Sequence, residues 1–223
     1  MKTVLITGIS RGIGRSLADK FLKEGYIVIG TYFTNPISPK ENLFPFYLDL
    51  SSSKSIESCA GEIQKLGKKI NILINNAAIL CDRDETGVIV EKLRKTLEIN
   101  LIGTIDFTEN IIPFLEKEGH VVNISSSAGS IANTGVRFSH FPNHQPSYKI
   151  SKTALNMYTR TLSLRLKDSG IIVSSVHPGW VKTDMGGSEA DIAPEEAARN
   201  IFNFAISTPT TGQFWFNNER MSW

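Results

Sequence analysis

Long apolar runs, clusters of like charge and cysteines are all scarce in this 223-residue chain. No apolar stretch approaches the roughly 20 residues that a membrane-spanning helix needs. The first residues lead directly into Val4-Leu5-Ile6, without the longer apolar segment and small-residue cleavage site of a secretory signal. We therefore expect a cytoplasmic protein with no membrane partner.

Cys59 and Cys81 are the only cysteines, and neither stands at a spacing typical of metal ligands. Two cysteines make no disulfide framework, so a reducing compartment is expected. Lys and Arg number 24 against 22 Asp and Glu, which leaves a formal net charge of +2 without basic runs. This balance gives no indication of a nucleic-acid partner.

Short apolar stretches alternate with helical patterns along the chain, which predicts an α/β fold. We expect a single domain over residues 1–223, with a doubly wound Rossmann-type, mostly parallel sheet and helices on both faces. One long helix is predicted over Glu91–Leu115, and prolines exclude a regular helix between Asn35 and Pro45. The predicted strands are Val4–Ile6, Ile27–Ile29, Phe46–Leu48, Ile70–Ile74, His120–Ile124, Ile171–Val176 and Phe214–Phe216.

Three glycines, Gly8, Gly12 and Gly14, separate the first predicted strand from a helical pattern. Glycines at such a junction let the backbone approach a diphosphate, whose charge is stabilised at the helix amino terminus. A tight turn without a ligand is the simpler alternative. A second predicted strand, Ile27–Ile29, follows the helix, and this strand–helix–strand context favours the nucleotide site over a simple turn.

Tyr148 and Lys152 begin another helical pattern and, four residues apart, share one helix face. A phenol has a pKa near about 10, and an adjacent ammonium lowers it by favouring the ionised form. The pair therefore suits general acid–base catalysis. Because such pairs also occur on solvated helices, the interpretation depends on the other motifs.

Polar residues follow three later strands, at the sheet edge where ligands of such folds bind. Asn75-Asn76-Ala77 ends the fourth predicted strand, Ser125-Ser126-Ser127 ends the fifth, and Pro178-Gly179 follows the sixth. Asn100 lies among apolar residues of a predicted helix, so its amide needs buried partners.

The order and spacing of these motifs resemble the short-chain dehydrogenase/reductase family over essentially the whole chain. The segment from His177 to Gly187 is similar to the C-factor/carbonyl-reductase-like branch. The resemblance implies hydride transfer between a nicotinamide cofactor and a carbonyl or alcohol substrate. It also implies that Tyr148 is the general acid/base, Lys152 lowers its pKa and holds the nicotinamide ribose, Ser126 orients the carbonyl and Asn100 completes a proton relay.

Cofactor contacts are implied at the loops that follow the strands. The resemblance implies that Asp49 contacts the adenine, and capping the next helix is its alternative role. Ser125 is a second candidate for the catalytic serine because three serines are adjacent. The implied cofactor residues are Gly8, Ser10, Arg11, Gly12, Ile13, Gly14, Asp49, Leu50, Asn76, Ala77, Tyr148, Lys152, Pro178, Gly179, Val181 and Thr183.

The charge around the second strand favours NADP(H) over NAD(H). An NAD site usually carries an acid there for the ribose 2′-hydroxyl, and residues 30–34 contain none. Arg11 resembles the basic residue that NADP-preferring members of the family place against the 2′-phosphate.

The segment between Ser126 and Tyr148 is longer than is common in the family. We expect it to border the substrate entrance, where Phe138, Phe141 and Trp180 favour an apolar or aromatic carbonyl compound. Pro142 between His140 and His144 makes a metal site there improbable. Such a segment also obstructs the usual helix-to-helix dimer in related proteins, so a monomer and a homo-oligomer both stay open.

A nucleotide-binding signalling or redox-sensing protein with vestigial catalysis is the alternative function, because some C-factor relatives are associated with signalling. The set of Asn100, Ser126, Tyr148 and Lys152 favours an enzyme, since function lies in the site rather than in the fold.

We predict that the protein turns over NADPH faster than NADH, because residues 30–34 place no carboxylate against a 2′-phosphate. Parallel assays of both cofactors by absorbance measure this preference. Equal or faster turnover with NADH would contradict it.

Overall fold

The computed structural model describes residues 1–134 and 144–223. Strands in these ranges form one sheet, and every pairing is parallel except the last. In chain order the strands are β1 (Thr3–Ile6), β2 (Ile27–Tyr32), β3 (Leu43–Tyr47), β4 (Ile70–Asn75), β5 (Leu115–Ile124), β6 (Ile172–Val176), β7 (Gln213–Phe216) and β8 (Glu219–Met221). Their order in the sheet is β3-β2-β1-β4-β5-β6-β7-β8, which confirms the predicted doubly wound, mostly parallel fold.

Helices connect most of the strands. No helix in the described ranges is both long and apolar enough to cross a membrane. The α-helices are α1 (Gly12–Lys23), α2 (Ser53–Lys65), α3 (Val90–Leu97), α4 (Thr104–Ile111), α5 (Pro146–Arg165) and α6 (Pro194–Ala205). A π-helix spans Glu98–Gly103, and short 3-10 turns span Ile112–Phe114, Ser127–Gly129 and Lys167–Ser169.

The alternation of side chains along the buried strands supplies a core to each face of the sheet. Val4 and Ile6 of β1 belong to a cluster that includes residues of α1 and α6. Leu5, between them, belongs to a second cluster with residues of α2, α4 and α5. Both faces are therefore covered, as the apolar runs of the strands require.

The prediction of one continuous helix over Glu91–Leu115 is wrong, both because the helix is divided and because it ends earlier. It is divided into α3, the π-helix and α4, and it stops at Ile111 because Pro113 lacks the amide hydrogen that a regular helix uses. Strand β5 begins at Leu115, earlier than the predicted His120. As predicted, no helix lies between β2 and β3.

Strand β8 was missing from the sequence prediction. It returns antiparallel to β7 through Asn217 and Asn218, whose φ angles are 48° and 65°. Asparagine tolerates this left-handed region, and two such residues make a tight hairpin turn. The Asn-Asn pair was therefore the sequence signal for this hairpin.

Gly103 ends the π-helix where that helix crosses the loop after β3. A Cβ atom there would lie 1.8 Å from the carbonyl oxygen of Leu50, far inside van der Waals contact. The absence of a side chain therefore allows the two backbones to approach, and this approach holds the helix that carries Asn100.

We expect Gly103→Ala to lower the free energy of unfolding by about 2–3 kcal/mol, because the backbone must move to relieve the clash. Urea unfolding measures the change. The matched control is Gly61→Ala in α2, where a Cβ meets nothing within 4 Å, so that alanine is expected to stabilise the protein by about 0.5–1 kcal/mol. Equal effects of the two substitutions would contradict the packing argument.

Candidate active site

The carboxyl ends of the parallel strands border a cavity of about 450 Å³. Its walls come from the loops after β4, β5 and β6, the start of α5 and the β7–β8 hairpin. A sheet that reverses its strand order leaves its ligand crevice at this edge. Of the predicted residues, those lining the cavity are Ile13, Ser126, Tyr148, Pro178, Gly179, Val181 and Thr183, with the alternative serine Ser125.

The glycine loop is a compact backbone cradle at the amino terminus of α1. Gly8 and Gly12 have φ angles of 74° and 55°, and a Cβ on Gly14 would lie 2.1 Å from the Gly8 carbonyl oxygen. The Asn76 amide supports the loop by donating to the carbonyl oxygens of Thr7 at 2.9 Å and Gly8 at 3.2 Å. Because the first turn of α1 carries no acidic residue, this end of the helix suits a phosphate.

Arg11 is exposed beside this cradle and pairs with Asp184, also exposed. A pair between solvated side chains contributes little to stability, so the Arg11 guanidinium is available to exchange Asp184 for another anion. Ser10 donates its hydroxyl to the carbonyl oxygen of Asn35 at 3.2 Å. Ser10 therefore lies against the loop that replaces a helix between β2 and β3, and Arg11 is the next residue.

Asp49 does not cap α2, so that alternative is wrong. Ser52 is the N-cap residue, and its hydroxyl accepts from the Ser55 amide at 3.3 Å. The Asp49 carboxylate instead accepts from the amide and hydroxyl of Ser51, at 2.9 and 2.7 Å. Leu50, the next residue, is buried.

Asn100 is buried in the π-helix, and its amide makes three hydrogen bonds. It accepts from the Ile79 amide at 2.8 Å and donates to the Ile79 carbonyl oxygen at 2.9 Å and to the Ser151 hydroxyl at 3.2 Å. A π-helix turn adds a residue to the helix and is frequent at functional sites. Asn100 thereby joins the loop after β4 to α5. Its contact on α5 is Ser151, the residue before Lys152.

The serines after β5 have different surroundings. Ser125 is buried and donates its hydroxyl to Asn156 Oδ1 at 2.7 Å. The Ser126 hydroxyl accepts from the Ala128 amide at 3.2 Å and is also a hydrogen-bond partner of the Tyr148 hydroxyl. This geometry favours Ser126 over Ser125 as the serine that acts with the tyrosine.

Tyr148 and Lys152 lie together at the start of α5, with the lysine Nζ atom 5.6 Å from the centre of the tyrosine ring. Burial raises the pKa of Tyr148 to about 12, although the bond with Ser126 opposes the shift. This direction differs from the expected lowering by Lys152, because desolvation of the phenol outweighs the nearby charge. Burial also lowers the pKa of Lys152 to about 8, and its ammonium donates to the Ile124 carbonyl oxygen at 2.8 Å.

The segment after β6 closes the cavity on the side of the glycine loop. Gly179 has a φ angle of 90°. Thr183 Oγ1 accepts from the Gly186 amide at 3.0 Å, and a Cβ on Gly12 would lie 3.2 Å from Thr183 Cγ2. The Thr183 side chain therefore touches the glycine loop that begins far away in the sequence.

Several cavity residues escaped the sequence analysis. Arg83 donates to the carbonyl oxygens of Asp184 at 3.2 Å and Met185 at 2.6 Å, so it bridges the loops after β4 and β6. His177 packs against Phe216 with ring centres 4.9 Å apart, and burial lowers its pKa to about 4. No local pattern marks Arg83, and the motif that contains His177 does not show its contact with Phe216, since only the fold brings these residues together.

The predicted substrate entrance is only partly described. Trp180 lines the cavity and donates its indole N–H to the Gly186 carbonyl oxygen at 2.9 Å. Phe138, His140 and Phe141 lie outside the described residues. Residues 1–134 and 144–223 contain no group of three or more acids, histidines or cysteines that could hold a metal ion.

Comparison with known proteins agrees with this geometry. A family model described as short chain dehydrogenase matches residues 2–193. The chain belongs to the short-chain dehydrogenase family. This short-chain dehydrogenase is 33% identical over 196 residues to the 3-oxoacyl-(acyl-carrier-protein) reductase FabG of Aquifex aeolicus, which covers 82% of this chain and 75% of that protein. It is therefore a member of a family of oxidoreductases.

Two solved structures confirm the predicted carbonyl-reductase-like branch. The carbonyl reductase Sniffer of D. melanogaster has a TM-score of 0.90 and 26% identity, and all of each chain is covered. An NADPH-bound carbonyl reductase from chicken fatty liver has a TM-score of 0.89 and 27% identity, covering 100% of this chain and 94% of that one.

We expect Asn100→Ala to lower the free energy of unfolding by about 2–3 kcal/mol, because it leaves the polar groups of Ile79 without these bonds. Guanidinium unfolding followed by tryptophan fluorescence measures the loss. The control is Asn110→Ala in α4, whose amide bonds to Asp106 one turn away and whose loss should cost less than about 1 kcal/mol. A smaller loss at Asn100 than at Asn110 would refute its bridging role.

Proposed function

We propose that this short-chain dehydrogenase reduces a small carbonyl compound with NADPH, with Tyr148 as the general acid. The observation that carries the proposal is the contact of the Tyr148 and Ser126 hydroxyls on a cavity wall, with the Lys152 ammonium beside the tyrosine ring. A hydroxyl pair of this kind holds a carbonyl oxygen and supplies its proton.

The residues present fit a dinucleotide. The backbone of Gly8, Gly12 and Gly14 would hold the diphosphate at the start of α1, where a larger side chain would not fit. Arg11 would pair with a 2′-phosphate in place of Asp184, and Asp49 with Leu50 would contact the adenine. The chicken carbonyl reductase, which has NADPH bound, supports the same cofactor for this chain.

The remaining cofactor contacts are proposed at the loops after β4 and β6. Asn76 and Ala77 follow β4, where both the Asn76 and Ala77 amides donate to Thr7 Oγ1 at 3.0 Å. Pro178, Gly179 and Val181 would contact the nicotinamide end from the loop after β6. NADPH supplies the hydride in this reaction, and the protein supplies position and a proton.

Tyr148 would donate its hydroxyl proton to the oxygen that gains negative charge during reduction. The phenol is protonated at neutral pH, as a proton donor must be, but a pKa raised to about 12 makes it a weaker acid, so the transfer needs a group that stabilises the phenolate. Ser126 would orient the same oxygen by hydrogen bonding. The substrate therefore needs its carbonyl oxygen between these two hydroxyls.

Lys152 and Asn100 would assist Tyr148 without contacting the carbonyl oxygen of the substrate. The Lys152 ammonium would stabilise the phenolate left after proton transfer and hold the nicotinamide ribose. Asn100 bonds to Ser151, whose hydroxyl donates to the Tyr148 carbonyl oxygen at 2.7 Å. This connection holds the backbone of the turn that carries Tyr148, and the proton relay proposed for Asn100 rests on the family resemblance.

The cavity wall supports an apolar or aromatic carbonyl substrate, such as an aldehyde, ketone or quinone. Leu80, Trp180, Met185, Phe216 and Met221 contribute apolar surface to it. Apolar walls with a few convergent polar groups are typical of small-molecule sites.

We expect Tyr148→Phe to lower kcat for NADPH-dependent reduction by at least about 100-fold, because the proton donor is removed. Absorbance of NADPH with a panel of aldehydes, ketones and quinones measures turnover, and fluorescence titration measures NADPH binding, which should change little. The matched control is Tyr158→Phe on the same helix, whose hydroxyl donates to Glu109 at 2.9 Å. This control should retain nearly full turnover.

Retained activity in Tyr148→Phe would overturn the proposed role of the tyrosine. Tight NADPH binding without turnover across the panel would instead favour a sensor with vestigial catalysis.

A further inference from the structure

The amino terminus of α5 lacks a local cap, although Tyr148 lies in its first turn. The residue at the N-cap position is Gln145, which has a φ angle of 65° and makes no side-chain cap hydrogen bond. Pro146 follows at the first helical position. A helix normally satisfies its first amides with a Ser, Thr, Asp or Asn at the N-cap, so this helix needs another acceptor.

Asp82, from the loop after β4, supplies that acceptor. Its Oδ2 atom accepts from the Ser147 amide at 2.6 Å, across 65 positions of the chain. The side chain is buried, with 1% of the residue exposed. A buried carboxylate at the positive end of a 20-residue helix is favoured by the helix dipole, which explains an acid in this place.

The same loop holds the chain just before α5. The Gln145 amide donates to the carbonyl oxygen of Glu85 at 3.0 Å. Asp82 Oδ1 and the Ser147 hydroxyl are both buried and have no hydrogen-bond partner among the described residues. The Ser147 amide bond therefore links Asp82 directly to the first turn of the helix.

We propose that Asp82 is a positioning residue, which fixes the first turn of α5 so that the Tyr148 hydroxyl meets that of Ser126. This proposal rests on the proposed function. Tyr148 follows Ser147 directly, so a shift of the first turn moves the phenol relative to Ser126, which lies in the loop after β5. A displacement near 1 Å can lower a rate by about 100-fold.

Asp82 also acts on Lys149, which lines the cavity next to Tyr148. Burial lowers the pKa of Lys149, and the negative charge of Asp82 opposes this shift. A test must therefore separate the hydrogen bond from the charge. Asp82→Asn keeps an acceptor oxygen and removes the charge, whereas Asp82→Leu removes both and keeps a similar size.

The experiment measures kcat, KM and the NADPH dissociation constant for both variants in the full-length protein. We expect Asp82→Leu to lower kcat by about 10- to 100-fold while NADPH binding changes less than about threefold, and Asp82→Asn to restore kcat to within about threefold. The matched controls are Glu109→Gln and Glu109→Leu. Glu109 bonds to Tyr158 and Arg165, farther along α5, and its variants should keep kcat within about twofold.

Unchanged kcat in Asp82→Leu would overturn the proposal, as would an equal loss in Glu109→Leu. If Asp82→Asn is as impaired as Asp82→Leu, the charge rather than the hydrogen bond is responsible and positioning fails. Should Asp82→Leu not fold, Asp82→Ser replaces it, because its short side chain cannot reach the Ser147 amide.

Hydrogen exchange gives a readout that does not depend on turnover. The first turn of α5 should exchange faster in Asp82→Leu or Asp82→Ser than in the wild type, whereas the Glu109 variants should leave it protected. Unchanged protection would overturn the capping role. Absence of turnover in the wild type would refute the proposed function instead. The exchange result would still show whether Asp82 caps the first turn of α5.

Discussion

A buried chain of hydrogen bonds joins α5 to the sheet, and the geometry of the site depends on it. Asn75 donates to Asn123 Oδ1 at 2.8 Å, and Asn123 donates to Thr159 Oγ1 at 2.8 Å. The Thr159 and Ser175 hydroxyls are 2.8 Å apart. Polar groups without partners are costly in a low-dielectric interior, so the bonds of this network favour one position of the helix.

That fixed position of α5 determines which groups face Tyr148 and Lys152, which their spacing on the helix alone does not. With α5 in place, Asn156 accepts from Ser125, and this leaves Ser126 facing Tyr148. Lys152 reaches the Ile124 carbonyl oxygen at the end of β5. One strand end and one helix face thus bring together the hydroxyl pair and the cation that the proposed chemistry needs.

The two ends of α5 are held by different means. The carboxyl half is anchored by the polar network and by Glu109 at the surface. The amino-terminal turn, which carries Tyr148, receives its cap from Asp82 in a distant loop. The tyrosine therefore depends on the loop after β4 as well as on its own helix.

The sequence by itself determined the parallel fold, the family and the order of the site motifs. These follow from local patterns: apolar strands such as Val4–Ile6, glycines at a strand end, and Tyr148 with Lys152 one turn apart. The division of the predicted Glu91–Leu115 helix escaped this reasoning because no local pattern shows that the helix approaches the backbone of Leu50 at Gly103.

Only the tertiary structure distinguishes the surroundings of Ser125 and Ser126, because identical neighbours in the sequence face different residues. It likewise gave the direction of the Tyr148 pKa, since burial is a property of the packed site and not of the spacing to Lys152. Asp82 and Arg83 entered the site for the same reason. Their partners lie on other loops, and no local pattern records which loops the sheet brings together.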